Sequence, residues 1–236
     1  MKKSLYIIIM ITLPFFISCR KFHSIEGNHH AETEVRSVPD FTGVSNSGDF
    51  DIYISQSPVF SVEVEAEENL IPYIETEVNG DLLEVKVKNN RNLDNNLPMK
   101  VYISAPFYEK IRMSGSGTIS CDTLDNATID FTVSGSGNIS AISYSDHLDA
   151  TISGSGNIFL NGTSDDADYR ISGSGRIKAY GLETYRSFCR ISGSGNIYTY
   201  ASDLLDVNIS GSGSVYYRGY PQVSVTISGS GKVIHD

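Results

Sequence analysis

The second half of the chain repeats one pattern of apolar and polar positions around the tetrapeptide Ser-Gly-Ser-Gly. The tetrapeptide begins at residues 114, 134, 153, 172, 192, 210 and 228, at intervals of 18 to 20 residues. The second residue after each copy is Ile or Val, and the residue before it is apolar in every unit: Met113, Val133, Ile152, Ile171, Ile191, Ile209 and Ile227. A nearly fixed period of this length is typical of stacked supersecondary units.

The parity of the positions indicates which side chains face inward. The apolar positions and the two glycines stand an odd number of residues from the first serine, whereas the serines stand at even positions. Successive side chains of an extended chain point to opposite faces. We therefore expect the apolar residues and the glycines to face a core and the serines to face solvent. Glycine would leave room for the chain to turn a corner over that core.

Equivalent residues at equivalent places indicate rungs that lie on one another in parallel. The prediction is an all-β fold, a parallel β-helix or solenoid of about seven rungs of 18–20 residues. The variable residues of each rung, such as 122–126 and 161–168, are predicted to form loops and a third side. An antiparallel β-prism or meander with the tetrapeptides as hairpin loops stays open as the alternative, although such loops do not require flanking apolar residues of one parity.

The N-terminus predicts export and attachment to a membrane. Lys2 and Lys3 precede an apolar stretch that ends at Ser18-Cys19. This arrangement resembles the signal peptide of bacterial lipoproteins, which implies cleavage after residues 1–18 and acylation of Cys19. An ordinary cleaved signal peptide is the alternative. The polar residues that follow predict a lipidated tether over 19–37.

The residues between the tether and the repeat alternate in the same way but lack the tetrapeptide. Asn79-Gly80-Asp81 stands between two alternating runs and is a strong hairpin signal. Residues 38–110 are therefore predicted to be an irregular N-terminal β part of the domain that caps the stack. The repeat β-helix itself is predicted over 111–236.

Composition limits the partners and the role of the cysteines. The formal net charge is −10, so a nucleic acid partner is excluded because its phosphates would be repelled. Cys121 and Cys189 fall on inward positions four rungs apart, at a spacing of ~19 Å that is too long for a disulfide. They are predicted to be buried free thiols.

The chain resembles the head GIN domain family of putative adhesins, a domain of unknown function, from about residue 38 to the C-terminus. The segments that carry the likeness, besides the Ser-Gly-Ser-Gly-Asn-Ile repeats, are Phe41-Thr42-Gly43-Val44, Asp51-Ile52-Tyr53-Ile54-Ser55-Gln56, Asp81-Leu82-Leu83-Glu84-Val85 and Val101-Tyr102-Ile103-Ser104-Ala105-Pro106. The resemblance implies an envelope protein with a right-handed, β-helix-like fold. It implies no binding or catalytic residue.

Catalytic chemistry is not predicted. A β-helix enzyme that acts on polysaccharide is the alternative function, and it would need carboxylates that converge on one outer face. We expect the acidic residues of the repeat to be solvated loop charges that form no column in neighbouring units. His147 and His235 are single, so the repeated serines have no partner for nucleophilic catalysis. No catalytic residue, cofactor or metal site is predicted.

One group of outward positions predicts a binding surface. The sixth and eighth positions after the first serine of successive units bring aromatic and basic residues together, and we name this set the aromatic stripe: Phe159, Lys178, Tyr180, Tyr198, Tyr200, Tyr216 and Arg218. Tyrosines beside cations suit a glycan or a surface protein. The predicted function is therefore that of a non-catalytic adhesion or scaffold module, lipid-anchored in the cell envelope, at the outer membrane. The incomplete last rung predicts either a homo-oligomer through that open end or a cap folded from elsewhere in the chain.

Overall fold

A computed structural model of the chain describes residues 24–88 and 91–236. The predicted signal peptide and Cys19 lie outside the described residues. The strands of the first part are β1 (Ser24–Glu26), β2 (Ala31–Val35), β3 (Gly43–Asn46), β4 (Asp51–Gln56), β5 (Ser61–Glu67), β6 (Ile74–Asn79), β7 (Leu82–Val87), β8 (Asn92–Asp94) and β9 (Lys100–Ala105). One 3-10 turn, Ile71–Tyr73, precedes β6.

The repeat region consists of strands joined by the tetrapeptide corners. These strands are β10 (Lys110–Met113), β11 (Thr118–Asp125), β12 (Thr128–Val133), β13 (Asn138–Ile152), β14 (Asn157–Ile171), β15 (Arg176–Ile191), β16 (Asn196–Tyr200), β17 (Leu204–Ile209), β18 (Ser214–Arg218), β19 (Gln222–Ile227) and β20 (Lys232–His235). No helix in the described part of the chain is long and apolar enough to cross a membrane.

The repeat units stack in parallel as a β-solenoid of about seven turns. Ile139 pairs with Ile158, Ile158 with Ile177, and Ile177 with Ile197, so equivalent residues lie over one another along the axis. The predicted all-β solenoid of about seven turns is confirmed. The antiparallel alternative is wrong, because adjacent copies of the motif run in the same direction at every pairing from β10 to β20.

Two faces meet at the tetrapeptide corner. The front face is formed by the strands that follow the corner: β9, β4, β11, the first halves of β13, β14 and β15, and then β16, β18 and β20. The side face is formed by the strands that precede the corner: β7, β3, β10, β12, the second halves of β13, β14 and β15, and then β17 and β19.

The core is filled by the apolar columns that the sequence predicts. Ile152, Ile171, Ile158 and Ile177 are at most 2 % exposed. These residues and their equivalents form one continuous cluster that extends from the N-terminal part to Val215. Each fully buried Ile or Val side chain contributes about 1.5–3 kcal/mol to folding, so the stacked columns are the main source of stability. Cys121 and Cys189 are buried free thiols in this cluster, as predicted.

The second glycine of the first six tetrapeptides is buried, as predicted, whereas the first glycine has a different role. A Cβ atom on Gly135 would lie 2.1 Å from the carbonyl oxygen of Gly115 in the previous rung, and one on Gly154 would lie 2.0 Å from that of Gly135. The direction in which a side chain would project from these residues therefore runs along the stack rather than into the core. Glycine is required because neighbouring rungs approach closely at the corner.

The variable segments are also more regular than expected. β13, β14 and β15 run without interruption from one corner to the next, so residues 161–168 belong to a strand. Residues 122–125 likewise belong to β11. The prediction of loops at these places is wrong, since β13, β14 and β15 continue to pair with one another around the third side.

The N-terminal part extends the same two faces and covers one end of the stack. β3 pairs in parallel with β7, and β4 pairs in parallel with β9. The direction then reverses: β6 pairs antiparallel with β7 through a turn at Gly80, and β5 pairs antiparallel with β9. The range 19–37 includes β1 and β2, which pair with β8 and β5 respectively.

The other end of the stack carries the uncovered β19. Val223, Val225 and Ile227 occupy inward columns, yet they are 39 %, 45 % and 41 % exposed. A homo-oligomer through this rung stays a prediction.

Candidate functional site

The front face presents one continuous column of outward residues. The strand register pairs each member with the next in neighbouring rungs. We name this set the outer column: Tyr102, Tyr53, Ser120, Ser140, Phe159, Lys178, Tyr198, Tyr216 and Ile234. The predicted residues Phe159, Lys178, Tyr198 and Tyr216 are therefore brought together in consecutive rungs.

The rings of the aromatic stripe contact one another along the solenoid axis. Tyr198 and Tyr216 stack with ring centroids 4.9 Å apart and planes at 8°. Tyr180 meets Tyr198 edge to face at 5.5 Å. The Lys178 ammonium lies 5.2 Å from the centroid of the Phe159 ring. Such pairs contribute about 0.5–1.5 kcal/mol each, so they hold these surface side chains in a defined arrangement.

Tyr180 is held by residues from rungs beyond its immediate neighbour. The Arg218 guanidinium carbon lies 4.1 Å from the centroid of the Tyr180 ring. The Tyr180 hydroxyl donates a hydrogen bond of 3.0 Å to Asp236, which also accepts one from Arg218 at 3.3 Å. Burial and the contact with the Asp236 carboxylate raise the pKa of Tyr180 above its ordinary value. Its hydroxyl therefore stays protonated and acts as a donor.

A β-bulge gives Tyr180 a different register from the one that counting residues from the tetrapeptide predicts. The register between β14 and β15 shifts after Phe159, so that Asn161 pairs with Gly181. β15 therefore has one extra residue at this place, and Tyr180 has no counterpart in the previous rung.

Tyr200 lies apart from the rest of the stripe. Tyr200 lines a groove together with Glu183, Tyr185 and Ser202. A separate groove is lined by Phe159, Lys178, Tyr180 and Tyr198. Arg218 is paired with Tyr200 in register but turns its guanidinium toward Tyr180. Six of the seven predicted residues thus form one surface.

The stacking determines what the stripe can offer to a ligand. Because the faces of Tyr198 and Tyr216 cover each other, each ring presents mainly its edge and its hydroxyl to solvent. The edge of an aromatic ring carries partial positive charge. Lys178 adds full positive charge beside it, whereas the charge of Arg218 is paired with that of Asp236. The surface is therefore suited to ligands rich in oxygen atoms.

Sequence reasoning missed the two tyrosines at the other end of the outer column. Tyr53 and Tyr102 stack at 5.3 Å with planes at 18°. They are 40 % and 36 % exposed. Both precede the first tetrapeptide, so no repeat position could be assigned to them. The alternating segments around them predict strands. The pattern does not indicate the register between those strands and the repeat.

The side face contradicts the expectation that acidic residues form no column. Asp130, Asp149 and Asp168 pair in register in three consecutive rungs. Arg170 contacts both Asp149 and Asp168, and Arg190 donates to Asp168 at 2.9 Å. The column could have been found by counting back four residues from each tetrapeptide.

His147 completes a cluster with two of these aspartates. Its Nε2 atom lies 3.1 Å from Oδ2 of Asp149 and 3.9 Å from Oδ2 of Asp168. The three atoms lie within 4.8 Å of one another, which is a spacing that could hold a metal ion. Arg170 and Arg190 already neutralise the two carboxylates, however, and a divalent cation would add unbalanced positive charge. The contacts are those of an ion-pair ladder that connects rungs.

Solved structures share the fold over 90% of the chain. A putative adhesin from Bacteroides fragilis NCTC 9343 is 23% identical, with a TM-score of 0.86 over 90% of this chain and 100% of its own. A putative lipid binding protein from Parabacteroides distasonis ATCC 8503 is 28% identical, with a TM-score of 0.77 over 90% and 99%. A putative adhesin from the same organism is 26% identical, with a TM-score of 0.72 over 90% and 100%. No curated protein matches the chain.

The family comparison covers most of the solenoid. The family described as "Putative auto-transporter adhesin, head GIN domain" matches residues 40–221. That range begins before β3 and ends beyond β18, so it includes both the N-terminal part and nearly all of the repeat. The chain belongs to the head GIN domain family of putative auto-transporter adhesins.

Proposed function

We propose that this protein is a non-catalytic binding module of the cell envelope that holds a carbohydrate chain on its front face. The observation that carries the proposal is the contact of Tyr180, Tyr198 and Tyr216 with one another and with Arg218, beside Lys178 in the same outer column. Their hydroxyls, ring edges and charges are fixed in place by the solenoid. A surface ordered before binding loses little conformational entropy when a ligand is bound.

The residues beside the outer column favour a hydrogen-bonding ligand. Two positions before it, the neighbouring column contains Asn138, Asn157, Arg176, Asn196 and Ser214 in consecutive rungs. Asn157 donates from Nδ2 to Oδ1 of Asn138 at 2.8 Å, so these two amides are ordered. The centre of a protein interface is usually depleted in lysine, whereas Lys178 lies within this surface. Sugar hydroxyls match these amides and hydroxyls better.

The relatives support a role in binding at the cell surface or envelope. Two of the compared structures are described as putative adhesins, as is the family. Another is described as a putative lipid binding protein. The interior of this solenoid is filled by its apolar cluster, so a lipid would have to bind on the outside.

Membrane attachment is proposed through acylation of Cys19. The apolar stretch before Ser18-Cys19 supports this anchor, and several acyl chains at ~0.8 kcal/mol per buried CH₂ would hold the protein firmly. Metabolic labelling with a palmitate analogue tests it. The label should be incorporated by the wild type and lost in Cys19→Ala; labelling of Cys19→Ala would exclude this anchor.

The binding proposal is tested on the chain from residue 20 onward with a glycan array. Tyr198→Ser should lose at least about tenfold in affinity for the glycan that binds, and Lys178→Gln should weaken it without loss of folding. Tyr185→Ser is the matched control because Tyr185 is 62% exposed on another part of the surface. Unchanged binding by Tyr198→Ser, at an unchanged melting temperature, would refute the site.

A second candidate function, cleavage of a polysaccharide, is favoured by the cluster of His147, Asp149 and Asp168. Paired carboxylates on an outer face are the minimum that such chemistry needs. The test is the appearance of new reducing ends or unsaturated products from polysaccharides incubated with the protein. Turnover that disappears in Asp149→Asn would establish the enzyme, and the absence of products leaves the binding function.

A further inference from the structure

We propose that the ligand is a linear polysaccharide that lies along the solenoid axis and makes a second contact at Tyr53 and Tyr102. This inference rests on the proposed function, because it extends the same front-face site. The two tyrosines belong to the same outer column as Tyr198 and Tyr216, in unbroken register. One straight ligand could therefore contact both groups.

The second contact is as ordered as the first. Tyr53 and Tyr102 stack with centroids 5.3 Å apart. The Tyr102 hydroxyl donates to Glu65 at 3.1 Å, and Lys100 binds the other carboxylate oxygen at 2.9 Å. The pair lines an open groove together with Ser104 and Ser120. It is thus a fixed aromatic edge beside hydroxyl groups, which is the chemistry of the aromatic stripe.

The outer column carries only small side chains between the two groups. Only Ser120 and Ser140 stand in the outer column between Tyr53 and Phe159. Three strand steps separate Tyr53 from Phe159, or ~14 Å at the usual strand spacing. The serine side chains are much shorter than the tyrosine and phenylalanine side chains at either end, and each carries a hydroxyl. A long, thin ligand fits this shape, and a compact one would reach a single group of tyrosines.

The charges along the column select the class of polymer. Beside the stripe stand the exposed basic residues Arg176, Lys178 and Lys232, and Arg218 as the partner of Asp236. Beside Tyr53 and Tyr102 stand Asp51, Glu63 and Glu65, with Lys100 as the partner of Glu65. A dense polyanion would be attracted at one end and repelled at the other. A hydroxyl-rich chain with little charge is compatible with both ends.

Two linked contacts predict a dependence on ligand length. Once one end of a chain is bound, the second contact forms within the same complex, and the affinity rises without any new kind of interaction. An oligosaccharide too short to reach both groups gains nothing from Tyr53 and Tyr102. The structure therefore predicts a step in affinity with length, rather than a gradual rise.

The experiment titrates the chain from residue 20 onward, by calorimetry, with graded cello-, xylo-, manno- and chito-oligosaccharides from the disaccharide to the octasaccharide. For the series that binds, the longest members should bind at least about tenfold more tightly than the shortest. The double variant Tyr53→Ser/Tyr102→Ser should lose that gain and keep the affinity for short members. Tyr53→Phe/Tyr102→Phe, which retains both rings, serves as the folding control.

The outcomes separate this inference from the proposed function. If Tyr198→Ser loses binding but Tyr53→Ser/Tyr102→Ser binds every length like the wild type, the second contact is refuted and the stripe stands. The same conclusion follows if affinity does not depend on length. If the wild type binds none of the four series or their parent polysaccharides, the carbohydrate function itself is refuted.

Discussion

The carbonyl oxygen of Gly154 lies 2.0 Å from the position that a Cβ atom on Gly173 would occupy. Gly193 has the same relation to Gly173, and Gly211 to Gly193, at 2.1 Å. Each tetrapeptide therefore fits on the one before it because neither has a side chain at this point. The repeated glycines are required by the close contact between rungs, and the repeated isoleucines form the core of the stack.

Gly173→Ala should destabilise the solenoid by about 3 kcal/mol, because the added methyl group would meet backbone that cannot move aside without breaking the ladder. Chemical denaturation measures the change. Ser174→Ala is the control, since Ser174 is exposed in the same tetrapeptide, and its effect should stay within about 0.5 kcal/mol. Equal stability of the two variants would contradict the proposed close contact.

Removal of a core side chain should cost more in the middle of the stack than at its open end. Ile152→Ala should lower the free energy of unfolding by about 2–5 kcal/mol, because Ile152 is fully buried and its loss leaves a cavity. Ile227 occupies the same column but is 41% exposed, so Ile227→Ala should cost less than half as much. Matched denaturant titrations compare the two, and similar losses would show that the last rung is covered in solution.

Glu67 should make the N-terminal part sensitive to acid. The carboxylate is buried and accepts hydrogen bonds from the backbone N–H groups of His29, Asn96 and Leu97. Burial alone would raise the pKa of Glu67, but these donors outweigh it and hold the pKa below its ordinary value. The unfolded chain then takes up the proton first, so stability that is present above pH 4.5 is lost as the pH falls through the lower, folded-state pKa.

The variant Glu67→Gln separates this effect from general acid unfolding. It should lower the denaturation midpoint at neutral pH, because an amide NH₂ would face the N–H donors, and it should flatten the loss of stability below pH 4.5. Glu68→Gln, at an exposed neighbouring position, should change neither. An acid profile of Glu67→Gln that follows the wild type would exclude Glu67 as the responsible group.

The columns of the core could be predicted from the sequence because the tetrapeptide fixes the position of each nearby residue within its rung. Ile158 and Ile177, five residues after the first serine of each unit, stack as expected. Accuracy falls with distance from the motif, because a single extra residue at Tyr180 shifts the register. Tyr53 and Tyr102 lie where no motif exists, and only the backbone hydrogen bonds bring them into the outer column. Local patterns identify faces, whereas register over a whole rung depends on bulges and on pairings distant in sequence.

The two buried cysteines should be unreactive in the folded protein. Burial raises the pKa of the Cys121 and Cys189 thiols, so the reactive thiolate is scarce at neutral pH. A colourimetric thiol reagent added to the chain from residue 20 should therefore modify neither residue until denaturant is present, and should then modify both. Cys121 is 8% exposed in the groove beside Tyr53, whereas Cys189 is fully buried, so Cys121 should react first as denaturant increases. Rapid modification of Cys189 in the native protein would mean that the middle of the stack opens locally, which a core of this continuity should prevent.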